Sequence, residues 1–319
     1  MSFITNCRKY YWNKKILSCI KESCEDNFKI INFHNVLQTI TTDKEIFLND
    51  ISYLIYALQF KNCIPTITLM LDSGFNVNAC DANKKNILRY TIMDYKFHNS
   101  LELVKLFISR GCDINYIYGY GGTALSVACY KKNYDIVKFL LDNGADPNIG
   151  KAIISSRDIE IIKLLLSRDV DINDTCRGNT ILYYALLDKT DPNVIEFIIA
   201  SGCNPNIYRH GKYSDSPLML AIKHYNVETI SLLLRLGAEY DNALEIAAKH
   251  EKYDIVKELI NYCADYSKLP HLIRDRNVLL EIFDHITIYE ITKNNKSIGS
   301  KILFNDIPKY HSKFVGNKK

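Results

Sequence analysis

The densest run of glycines, Gly119-Tyr120-Gly121-Gly122-Thr123-Ala124, has the residue types of a dinucleotide-binding turn. Glycine lets backbone N–H groups come close to a pyrophosphate, and Asp142 lies near the ~20-residue offset at which such a site wants an acid for the ribose. That acid should end a second strand. Asp142 instead ends "YDIVKFLLD", whose apolar residues fall at helical spacing. Parallel stretches, "CRGNTIL" and "YSDSPLM", continue without a glycine cluster. The glycines therefore read as shaping a long turn, and no cofactor is expected. An NAD-dependent enzyme is the third and weakest of three function classes.

Other catalytic patterns fail one by one. A P-loop needs Gly-Lys followed by Ser or Thr, but Gly150-Lys151 is followed by Ala152 and Gly211-Lys212 by Tyr213. Neither HExxH nor GxSxG occurs. His224 and His250 occupy matching places in "AIKH" and "AAKH", which suits exposed helix residues rather than a catalytic pair. Asp254 and Glu258 sit one helical turn apart, as solvated surface acids commonly do. The 10 cysteines form no CxxC pair and no His-x(3–5)-His accompanies them, so no metal is expected. Cys112 and Cys203 follow a glycine where a parallel copy has Ala145, and Cys129 follows Ala128 as Ala248 follows Ala247. These are packing slots for small residues, which a reduced thiol fills well.

The elements that would have to position any site come next. Hydrophobic residues are 47% of the 319 and charged residues 24%, as in a folded soluble chain. The net charge of +4, from 40 basic and 36 acidic residues, is too small and scattered to argue for nucleic acid or an anionic membrane. The start "MSFITNCRKYYWNKK" does not read as a secretory signal, and no apolar run approaches the ~18 residues of a membrane span. The expected compartment is the cytoplasm, with the nucleus second.

A closing phrase recurs: "SGFNVNA", "RGCDINY", "NGADPNI", "RDVDIND", "SGCNPNI", "LGAEYDN" and "YCADYSK". Its marker positions are Gly74, Gly111, Gly144, Asp169, Gly202, Gly237 and Cys263, separated by 37, 33, 25, 33, 35 and 26 residues. Ahead of the phrase lies a degenerate helix start: "SYLIYA", "NILRYT", "TALSVA", "TILYYA" and "SPLMLA". Thr123, Thr180 and Ser216 can cap those helices, and Pro217 suits a first helical position. Gly144, Gly202 and Gly237 supply the left-handed residue that ends the second helix, with Asp169 a more strained stand-in. A spacing near ~33 with this Thr-Pro-Leu-like slot resembles the ankyrin-repeat family over about residues 50 to 265.

The resemblance implies an all-α ankyrin-repeat solenoid of helix-turn-helix units with short β-hairpin fingers and helical caps. Residues 1–49 form the N-terminal helical cap, 50–265 about seven repeats, and 266–319 a degenerate C-terminal cap and tail. The two short intervals, after Gly144 and after Gly237, read as repeats whose finger has been deleted while the helix pair remains.

In such arrays the finger tips and first-helix faces line a concave binding groove. The longest fingers, "NYIYGYGG" and "NIYRHGKYSD", put forward Tyr116, Tyr118, Tyr120, Tyr208, Arg209, His210 and Tyr213 as partner contacts, since aromatics and Arg dominate interface hot spots. The degenerate, thiol-rich copies and the Ile, Asn, Lys and Tyr bias look most like poxvirus ankyrin-repeat proteins. That resemblance implies non-enzymatic binding of a host protein. The second reading is an adaptor that recruits a target to a ubiquitin-ligase scaffold through an F-box-like C-terminus. Leu269-Pro270 begins such a motif, but His271 and Arg274 break its pattern.

Overall fold

The computed structural model describes residues 2–26, 29–39, 50–93, 100–119, 121–209, 215–262, 269–275 and 277–286. It divides into two compact units, residues 1–214 and 215–319.

In the first unit helices come in pairs. They are α1 (Ser2–Glu25) and α2 (Ile30–Thr39), α3 (Ile51–Leu58) and α4 (Cys63–Asp72), α5 (Ile87–Met93) and α6 (Ser100–Ser109). Then follow α7 (Ala124–Tyr130) and α8 (Tyr134–Asp142), α9 (Ala152–Ser155) and α10 (Ile159–Leu166), α11 (Ile181–Leu187) and α12 (Pro192–Ala200). First helices stack on first helices in the order α3, α5, α7, α9, α11, and α6, α8 and α10 stack likewise. Their inward stripes, for example Leu125 and Ala128 on α7 and Ile136, Val137, Leu140 and Leu141 on α8, are buried between neighbours. Each fully buried Leu or Ile contributes about 1.5–3 kcal/mol. One pair cannot hide its own stripe, so the copies stabilise one another.

The second unit repeats the plan with α13 (Pro217–His224) and α14 (Val227–Arg235), α15 (Ala243–Lys249) and α16 (Tyr253–Ile260), and α17 (Leu269–Leu272) followed by α18 (277–286). Here α13, α15 and α17 pack in sequence, and α14 lies against α16. Leu279, Ile282 and Ile286 give α18 its buried face. Among the described residues no helix is long and apolar enough to cross a membrane.

Helix boundaries follow from local chemistry. Thr123 and Ser126 form a reciprocal capping box at the start of α7, and Ser216 caps α13 ahead of Pro217. Thr180 makes no such bond with α11. At the far end of α8, Gly144 (φ 92) donates to the Leu141 carbonyl and Ala145 to that of Leu140, the paired bonds of a Schellman turn. Asp169 takes the same left-handed conformation, φ 58, without glycine's freedom.

A second, unanticipated device joins the copies. Asn115 donates from Nδ2 to the Gly144 carbonyl (3.1 Å) and accepts from the Asp146 N–H (2.8 Å), so it clamps the turn of the following repeat. Asn78 does the same to Gly111 and Asp113, and Asn173 to Gly202 and Asn204. Asn148 stands at the equivalent place but precedes the interval of 25 residues, and its side chain makes no such clamp. There Lys151 reaches both carboxylate oxygens of Asp174 at 2.7 Å instead.

Both short intervals leave little between a closing phrase and the next first helix: residues 150–151 before α9, and none before α15, which starts directly after "LGAEYDN". Where the fingers are described, at residues 81–85 and 176–179, they are tight turns rather than the expected β-hairpins. Among the described residues no strand forms, and the one β-bridge joins Cys176 to Asn179.

Candidate partner-binding fingers

The glycine cluster serves the finger that precedes α7. The Tyr118 N–H donates to the Gly122 carbonyl and the Gly121 N–H to that of Tyr118, both at 2.8 Å, with Gly121 at φ 84. A Cβ on Gly119 would lie 3.3 Å from the carbonyl oxygen of Asn83, so this finger rests against the preceding one. That neighbour is closed in the same way, by Asp81 N–H to Lys85 O and Lys84 N–H to Asp81 O. The glycines thus shape backbone, as the repeat register implies.

Tyr118 departs from expectation. It is only 6% exposed, with its ring under the Arg89 guanidinium (5.5 Å to the centroid) and tilted against Tyr116. Its hydroxyl is buried without a hydrogen-bond partner, and burial, reinforced by Cys112, pushes its ionisation far up. Tyr118 therefore builds the finger and offers no contact surface. The residue before it, Ile117, which sequence reasoning did not single out, is 54% exposed at the tip. Tyr116 is half-buried, held by a side-chain hydrogen bond with Cys80 that raises its pKa more than burial does.

At the other finger Tyr208 is half-buried and Arg209 exposed. The Arg209 N–H donates to Asn179 Oδ1 at 2.8 Å, and a Cβ on Gly178 would sit 3.3 Å from Arg209 Cβ. Two successive fingers are thereby tied together. Tyr120, His210 and Tyr213 lie outside the described residues.

The remaining candidates fall into structural places. His224 and His250 are exposed, at the end of α13 and at the C-cap of α15. Glu258 accepts from Ser231 (2.6 Å), while Asp254 stands in the first turn of α16. Cys63, Cys112, Cys129 and Cys203 are buried free thiols. Burial raises all four, Cys63 to about 11 and Cys112 to about 12. Among the described residues no group of three or more His, Cys, Asp or Glu could hold a metal ion.

Comparison with known proteins agrees with this geometry. The family model for ankyrin repeats (3 copies) matches residues 54–151 and 187–269. An ankyrin repeat protein of Acanthamoeba polyphaga mimivirus is 32% identical over 144 residues, covering 42% of this chain and 18% of the relative. One from fowlpox virus (strain NVSL) is 27% identical over 213 residues, 64% of this chain and 35% of the relative. The chain thus spans about a fifth to a third of the length of these relatives. Among solved structures, the ankyrin repeat domain of human ASB11 superposes with a TM-score of 0.52 at 23% identity, over 68% of this chain and 98% of that one. With the paired helices, the left-handed turns and the matched segments in agreement, the chain belongs to the ankyrin-repeat family.

Proposed function

We propose that this protein is a non-enzymatic interaction module that binds a host-cell protein through the finger tips of residues 1–214, acting in the host cytoplasm. The observation that carries the reading is the pinned finger surface. Tyr116 and Ile117 on one tip, and Tyr208 and Arg209 on another, stand on backbone locked by inter-finger contacts. Preorganised aromatic and cationic groups bind at low entropic cost, because little freedom is lost on docking. Similarity to poxvirus and mimivirus ankyrin-repeat proteins supports a host target. Residues 1–49 and 266–319 are read as covers for the open ends of the repeats.

The adaptor reading gains nothing from the region that suggested it. Leu269 is fully buried in α17, packed beside α15, so the leucine of the Leu269-Pro270 pair works in the core of its unit while Pro270 is half-buried.

The test is affinity capture from host-cell lysate with the full chain, followed by reconstitution with the purified candidate. Replacing Tyr116 and Ile117 by Ser should abolish the reconstituted complex and leave the thermal transition in place. A complex indifferent to the fingers, or one made only through ligase scaffold components and lost on removal of residues 269–319, would overturn the reading.

A further inference from the structure

We infer that Arg177 and Arg209 form a two-pronged clamp for the carboxylates of an acidic segment on the partner protein; the inference rests on the fingers being the binding surface. Arg177 is the first central residue of a turn closed from both sides, by Cys176 N–H to Asn179 O (2.9 Å) and Asn179 N–H to Cys176 O (3.0 Å). Arg177 has φ 53 and Gly178 φ 84, so both central residues are left-handed, the type I′ arrangement. That turn favours Asn or Gly at its first central position, because a longer side chain there crowds the following carbonyl. Arg177 is thus held where its own backbone preference opposes it, and its side chain is exposed.

The same turn holds the second cation. Asn179, which closes the Arg177 turn, accepts the Arg209 N–H at 2.8 Å, and the Gly178 Cα faces the Arg209 side chain. A side chain at Gly178 would crowd Arg209 at 3.3 Å as well as strain the backbone, so the glycine eases the close approach. Two exposed arginines therefore stem from one hydrogen-bonded scaffold. Neither is in an ion pair among the described residues, and the acid nearest in sequence, Asp174, is engaged through both oxygens by Lys151. The turn itself fixes the backbone of Arg177, but the two like charges it helps bring onto one scaffold have no partner among the described residues. An external carboxylate would supply one, because the planar fork of Arg grips it through two parallel hydrogen bonds. A nucleic acid fits less well. Following a phosphate backbone needs a stripe of cations, and the net charge of +4 is scattered along the chain.

The test uses the full chain and three labelled probes read by fluorescence anisotropy at physiological salt. These are a decapeptide of alternating Glu and Leu, its Gln-for-Glu counterpart, and a thymidine decanucleotide. The Glu peptide should bind at least tenfold more tightly than the Gln peptide, and R177N/R209Q should remove that difference. R177N alone should raise the Tm by about 2 °C, because Asn accepts the left-handed position more readily. Equal binding of the two peptides, no binding at millimolar concentration, an unchanged double variant, or an Arg-dependent preference for the oligonucleotide overturns the clamp. So does a reconstituted complex that needs Tyr116 and Ile117 but tolerates R177N/R209Q, although the finger reading then stands. A complex indifferent to every finger variant removes the reading beneath it.

Discussion

Asn115→Ala should destabilise the first unit while Asn148→Ala should not, although both residues occupy the fourth position after a marker glycine. Asn115 makes two bonds to the backbone of the following repeat, at 3.1 Å and 2.8 Å. A net hydrogen bond is worth about 0.5–1.5 kcal/mol, and the lower half applies where water can replace the lost partner, as it can at Gly144. The pair therefore contributes about 1–2 kcal/mol. For a unit of roughly this size each kcal/mol moves Tm by about 2–4 °C, so a drop of about 2–8 °C is expected. The side chain of Asn148 makes no such clamp, and its loss should stay within about 0.5 kcal/mol. Differential scanning calorimetry gives the Tm, and hydrogen exchange at the Asp146 amide reports locally, since that N–H loses its acceptor only in Asn115→Ala. Equal shifts from the two variants, or unchanged exchange at Asp146, would refute the account of the clamp.

Lys132→Gly, which relieves a left-handed lysine (φ 56) on an exposed loop, should raise stability by about 0.5–1 kcal/mol in urea titration. Burial pushes Tyr90 up to about 12, and its bond to Asp81 adds to this, so the folded state holds the phenol proton more tightly than the unfolded one. That stability is complete below the unfolded value near 10 and lost as pH rises through about 12, and Tyr90→Phe should flatten this alkaline fall in a pH series of Tm values. Burial opposes ionisation of Asp81, but Tyr90 and the amides of Lys85 and Asn83 together outweigh it and lower its pKa. Its contribution is present above the ordinary Asp value and disappears as pH falls through the depressed one, so Asp81→Asn should reduce the acid sensitivity. Alkylation of Cys112 and Cys129 by iodoacetamide should be negligible at pH 8 in the native protein and rapid in urea, because burial raises both thiols.

The turns and helix starts were legible because their causes are local. Left-handed φ values at Gly74, Gly111, Gly144, Asp169, Gly202 and Gly237 fall at the positions the closing phrase marked. Thr123 and Ser216 cap as their side chains allow. Thr180 does not: its hydroxyl lies beside Cys203, where it eases an ionisation that burial has raised by more. A capping residue's identity does not set its rotamer. The asparagine clamp was present in the sequence as the Asn four residues after each of five markers, but its use depends on the distance to the next turn. Asn148 shows how a shorter interval downstream leaves the same residue type without its clamp. The finger surface was half legible. Alternation along "NYIYG" could not reveal that Tyr118 turns inward beneath Arg89 while Ile117 turns out, because that choice is made by the neighbouring repeat. The left-handed conformation of Arg177 was not legible, because the Cys176–Asn179 turn and not the residue type sets it.

Among the described residues eight that are not glycine hold left-handed conformations, including Lys84, Lys132, Lys151, Lys189 and Glu251. Each sits in a turn whose geometry is fixed locally. A reversion to glycine at an exposed loop such as Lys132 or Lys189 would add stability without disturbing a finger tip. These loops therefore form a reserve of easily reached compensating changes. A lineage under pressure to alter its finger residues, where new contacts often cost stability, could offset the loss one turn at a time and keep the helix pairs intact.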